Sequence, residues 1–97
     1  MESKLLPLGT IVSLYQNNTK LMIVGYLQKI NGEDKVWDYT AVTYPRGFVS
    51  QNRMIVFDNI QIERKYLYGY NNLESIELLK ELDKRVNDKV EILWHIT

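Results

Sequence analysis

The hydrophobic periodicity of this chain changes once, near Asn72, and that change restricts the fold more than any other feature. Upstream lie short runs rich in β-branched and aromatic residues, separated by turn-forming Asn, Gly and Pro. Downstream, Leu73, Ile76, Leu79, Leu82 and Val86 recur at three- and four-residue spacing, which is one apolar face of a helix. Several strands followed by a single amphipathic helix define an α+β domain. No helical pattern separates the first strands, so parallel β-α-β units are not expected. The expected shape is a small, strongly bent antiparallel β-barrel or half-barrel of about five strands, with the C-terminal helix closing one opening.

Residues 10–15 form the first expected strand, after the punctuation of Pro7 and Gly9, and Gln16 to Thr19 is a polar break. Residues 20–29 form the second. Its unbroken apolar run, Leu21-Met22-Ile23-Val24, suits a strand buried on both faces. Gly25 inside that pattern marks a bulge or a close approach of another backbone. Asn31-Gly32 is the strongest turn signal in the chain. A third strand is expected over 36–43 and ends at Tyr44-Pro45-Arg46-Gly47. A fourth is expected over 53–57, followed by a corner at Asp58-Asn59, and a fifth over 66–68. The helix is expected over 72–88 with Asn72 as its N-cap. The tail has two readings. Alternation of Val90, Ile92, Trp94 and Ile96 suits a short closing strand after a break at Asn87-Asp88, which is the preferred one. A helix running on from Val86 through Val90 to Leu93 would also bury apolar groups.

Composition fixes the scale. At 97 residues and 45 % apolar content, residues 1–97 can fill one core and form a single domain. Twelve basic and twelve acidic side chains cancel, and no basic stripe is apparent, which argues against nucleic acid as a partner. The chain has no cysteine, so disulfides and cysteine-based zinc sites are excluded, and a reducing cytoplasm is the expected compartment. The start lacks the apolar core of a signal peptide, and the apolar runs are strand-length, so neither secretion nor membrane insertion is expected.

Candidate chemistry is sparse. His95 is the single histidine, and it has neither a nucleophile nor an orienting partner at a recognisable spacing. Glu33-Asp34 flanks a turn, and Glu77 and Glu81 sit on the wet helix face, so they read as surface charge. Asp38, between Trp37 and Tyr39, reads as a hydrogen-bonding group within the sheet. The glycines form no phosphate-cradling motif. No catalytic residue, metal site or cofactor is expected. The compositional oddity is seven tyrosines, a residue enriched both in sheets and at protein interfaces. The loop of Tyr44, Pro45, Arg46, Gly47 and Phe48, with Tyr39 nearby, is the expected partner-binding surface. It is aromatic, and Pro and Gly fix its course. The competing reading is that Tyr44 and Phe48 plug the end of the barrel.

The order Leu6-Pro7-Leu8-Gly9-Thr10-Ile11-Val12, Lys20 to Gln28, Asp38-Tyr39, Tyr44-Pro45-Arg46-Gly47 and Tyr68-Gly69-Tyr70 resembles a small uncharacterised Gram-positive family. That family has an LPxG opening, a KLMIxG segment, a DY strand, a YPxG turn and a GY ending. Two departures stand out: Tyr26 replaces a basic residue, and Asp58-Asn59 replaces an Asn-His pair. Genes of that family commonly lie beside LXG-type toxins of the Esx (type VII) secretion system. The resemblance therefore implies a non-catalytic accessory, chaperone or adaptor module. Its partner would be a protein, such as an LXG-type toxin or its helical accessory proteins. The rival readings are an immunity protein for a cognate toxin and a small nucleic-acid-binding β-barrel.

Overall fold

The computed structural model describes residues 4–96, and side chains through residue 85. Five strands form one antiparallel sheet: β1 (Ile11–Leu14), β2 (Asn17–Lys29), β3 (Val36–Thr43), β4 (Ile55–Phe57) and β5 (Ile62–Leu67). A single helix, α1 (Leu73–Ile96), follows. The sheet order is β4-β3-β2-β1-β5, and the outer strands β4 and β5 do not pair, so the sheet is open rather than a closed barrel.

It is nevertheless curved. In a flat sheet β4 and β5 would stand about 19 Å apart, four strand spacings. Residues 58–61 join them, and five peptide steps reach at most about 18 Å even when fully extended. Part of that link is a 3-10 turn (Asn59–Gln61), which shortens it further. The edges must therefore curl toward one another. Bulges supply the bend: register slips between Ile23 and Gly25 on β2, and twice where β1 meets β5.

The bulge expected at Gly25 is present, and it corrects the reading of the run before it. Leu21 and Ile23 are buried, but Val24 is the unopposed bulge residue and is exposed, so β2 is buried on one face there. β5 begins earlier than expected because its first residues, Ile62-Glu63-Arg64-Lys65, form an edge, where charged side chains are normal. β4 is shorter than expected, since residues 51–53 form a 3-10 turn.

Asn72 caps α1 as expected. Its Oδ1 accepts from the Ser75 amide at 2.9 Å, and the Ser75 hydroxyl accepts from the Asn72 amide at 2.8 Å. The helix meets the sheet chiefly through Leu79, which is buried, with Leu82 packed beside it. Ile76 belongs to the same stripe but is exposed, so the docking is narrower than the periodicity implied. Of the two readings of the tail, the helical one holds and the preferred closing strand does not form: α1 runs on to Ile96. Asn and Asp cost a helix interior only a few tenths of a kcal/mol, up to about 0.7 each. Neither Gly nor Pro follows Asn87-Asp88 to stop it. The side chain of His95 lies outside the described residues.

Candidate interaction surface

The N-terminal segment is the unexpected part of the core. Leu5, Leu6 and Pro7 are buried beneath the sheet among Val12, Ile23, Tyr39, Phe57 and Leu79. Side chains from four places satisfy its backbone, and from α1 Asp83 Oδ2 accepts from the Lys4 amide (3.2 Å). The Leu6 amide donates to Tyr39 Oη (3.0 Å), Tyr26 Oη donates to the Leu6 carbonyl (2.6 Å), and Asn59 Nδ2 donates to the Lys4 carbonyl (2.6 Å). The Gly69 amide donates to Thr10 Oγ1 (3.0 Å), which itself donates to the Pro7 carbonyl (2.6 Å).

This arrangement divides the tyrosines. Tyr39 was expected on the partner-binding surface, yet it is fully buried. Its ring lies 5.4 Å from that of Phe57, and its hydroxyl donates to Asn59 Oδ1 at 2.9 Å. Burial pushes its hydroxyl above the ordinary tyrosine pKa, and it pushes Tyr26 up to about 12. Asp38 is also tied in. Its carboxylate accepts from the Asn59 amide (3.0 Å), while its own amide donates to Asp58 Oδ1 (3.0 Å). Asp58 pairs with Lys35 at 3.0 Å, and Lys35 also stands 3.9 Å from the centre of the Trp37 ring. The Asp58-Asn59 corner is thus a clamp joining β3, β4 and the N-terminal segment.

The 44–48 loop is its opposite. Tyr44 is 47 % exposed and Phe48 64 %, so neither ring plugs the core, and Val49 extends the same apolar surface. The base of the loop is fixed: the Tyr44 amide donates to the Lys20 carbonyl (2.8 Å) and the Gly47 amide to the Thr43 carbonyl (2.7 Å). The Tyr44–Pro45 peptide is cis, and Gly47 has φ +77°. Pro45 and Arg46 are exposed at the tip. A rigid stem therefore presents two rings and a guanidinium to solvent.

Beside this loop is a group of residues that sequence patterning did not single out together. Tyr66 on β5 bonds through its hydroxyl to Ser13 Oγ (3.1 Å). Lys20 Nζ lies 5.2 Å, and Arg64 Cζ 5.9 Å, from the centre of the Tyr66 ring. On the helix side, Leu8, Tyr26, Tyr70, Ser75, Leu78 and Leu79 line an apolar cleft of about 310 Å³. Among the described residues, no group of three or more His, Cys, Asp or Glu could hold a metal ion, and no helix is long and apolar enough to cross a membrane.

These features define an α+β domain with a buried N-terminal strap and an anchored aromatic loop. The chain belongs to the family described as Domain of unknown function (DUF4176), whose model matches residues 5–78. No curated protein and no solved structure matches it significantly.

Proposed function

We propose that this protein is a non-catalytic protein-binding module of the cytoplasm, an accessory, chaperone or adaptor whose contact surface centres on Tyr44, Pro45, Arg46, Gly47 and Phe48. One observation carries the reading: the aromatic 44–48 loop is anchored at both ends yet leaves Tyr44 and Phe48 largely exposed. Exposed rings on a fixed loop bury large area on contact while losing little chain entropy. By the family resemblance, the partner is an LXG-type toxin of the type VII system or one of its helical accessory proteins. The half-barrel geometry suits this use, since strands β2 and β3 of the curved sheet hold the loop stem.

The test is to recover the partner with tagged protein from its own cytosol, then compare affinities. Tyr44→Ala and Phe48→Ala should each weaken binding by at least about thirtyfold, the effect of an aromatic hot spot. Wild-type affinity in both variants, with the fold intact, would end the proposal.

A further inference from the structure

We propose that the sheet face bearing Lys20, Arg64 and Tyr66 recognises an acidic segment of the partner protein, deepening the binding role assigned above and resting on it. The inference starts from register. Val12 and Leu21 oppose one another and are buried in the core, so their neighbours Ser13 and Lys20 project from the other face. Ser13 opposes Arg64 on β5, and its hydroxyl holds that of Tyr66. Lys20 and Arg64 thus flank one half-exposed ring on the face away from α1. The Lys20 carbonyl also receives the Tyr44 amide, so this cluster adjoins the base of the aromatic loop.

Charge placement specifies the ligand. Neither residues 3–32 nor residues 39–57 contain an acidic residue, although the chain as a whole is neutral. Glu33 and Asp34 lie in the β2–β3 turn, at the opposite end of β3 from the loop. Among the described residues, the ion pairs are Lys35–Asp58 and Lys84–Glu81, so neither Lys20 nor Arg64 has a carboxylate partner. Arg46 and Arg53, in and just after the loop, add the same sign. A carboxylate placed between Lys20 and Arg64 would gain charge-assisted hydrogen bonds, and an adjoining apolar group would pack on Tyr66, Tyr44 and Phe48. The Ser13 bond holds the Tyr66 ring in position beforehand. The patch is short, and the rest of the chain carries as many acids as bases. It therefore fits a brief acidic protein segment better than a long polyanion such as RNA.

The probes are a short peptide alternating glutamate and tryptophan, the same peptide with glutamine or lysine for glutamate, and single-stranded RNA. Amide shifts of the labelled full chain locate binding, and titration measures it. The glutamate peptide should bind, shift Lys20, Arg64 and Tyr66, and weaken with added salt, whereas the glutamine peptide should not bind. K20Q with R64Q should weaken it at least about tenfold. K20E with R64E should release it and take the lysine peptide instead. Equal binding of the glutamate and glutamine peptides, or an unchanged affinity in folded K20Q/R64Q, overturns the inference. Tighter binding of RNA at these residues also overturns it. Loss of partner binding in Y44A and F48A but not in K20Q/R64Q would sink this inference and leave the loop reading standing. The reverse pattern would sink the loop reading alone.

Discussion

Two stretches of this chain share the same punctuation, Leu6-Pro7-Leu8-Gly9 and Tyr44-Pro45-Arg46-Gly47, and meet opposite fates. In the first, Leu6 and Pro7 are buried and the Leu6 backbone is hydrogen-bonded to Tyr26 and Tyr39, while Leu8 lies at the surface. The second touches the sheet only at its base and turns its rings outward. The difference lies in what comes back to meet them. Tyr26, Tyr39 and Thr10 satisfy the polar groups of the first segment, and Asn59 and Gly69 bond to the residues on either side of it, Lys4 and Thr10. A buried backbone survives only with such partners, whereas an exposed turn has water. The first segment is thus explained by stability, and the second has aromatic surface that stability does not require.

The harshest way to break this contrast is at Gly69. A Cβ there would lie 2.1 Å from the Leu8 carbonyl oxygen and 2.9 Å from the Thr10 amide nitrogen, both backbone atoms that cannot rotate aside. Gly69→Ala should displace the strap and cost about 3 kcal/mol or more, the upper end of overpacking. Urea unfolding measures it, and a cost below about 1 kcal/mol would show that the strap does not pack against Gly69.

Tyr39→Phe is next. It keeps the ring in the core but removes the acceptor for the Leu6 amide and the donor to Asn59. A loss of about 1–3 kcal/mol is expected for stranding buried polar groups, read from the denaturation midpoint at neutral pH. A neutral substitution would mean that the strap is not held by this hydroxyl.

A milder effect should appear in alkali. Tyr26 ionises at about 12 when folded, against 10.0 when unfolded, chiefly because burial disfavours the phenolate. A raised folded pKa stabilises the fold fully below pH 10, and this contribution disappears as pH rises through about 12. Wild-type urea midpoints should therefore fall more steeply across that window than those of Tyr26→Phe. Lysine titration is common to both proteins and cancels in the comparison. Parallel curves would place Tyr26 in water.

How much of this was legible in the sequence depended on range. Asn72 could be read because a cap is set by residues a few positions away, and Gly25 because a glycine within a strand pattern is itself a local mark of a bulge. The strap could not, because its partners are 20 to 79 residues distant along the chain. Tyr39 and Tyr44 show the same limit on the surface itself. They are identical residues five positions apart, fully buried and half exposed. Alternation on β3 cannot separate them, since residues 38–42 are buried on both faces. The 44–48 loop was legible because Pro and Gly end a strand wherever they fall. The Lys20–Tyr66–Arg64 cluster was not, since it needs β2 and β5 brought to either side of β1.

The smallest expected effect is the one that most sharpens the contrast. Tyr44→Ala and Phe48→Ala remove more side-chain volume than Gly69→Ala adds, yet each should shift stability by no more than about 0.5 kcal/mol, as for a surface substitution. Their rings are 47 % and 64 % exposed, and the bonds that fix the loop are made by backbone atoms, which truncation leaves in place. Gly47→Ala serves as the control within the same loop. No atom lies within 4 Å of its would-be Cβ, so the cost arises from φ +77° alone and should be about 1–2 kcal/mol. Thermal and urea unfolding of the three variants side by side should therefore rank Gly47→Ala as the most destabilising. If Tyr44→Ala or Phe48→Ala instead costs as much as about 2 kcal/mol, that ring packs against the sheet in solution. The loop would then be a second strap like the first, and its aromatic surface would have a structural cause.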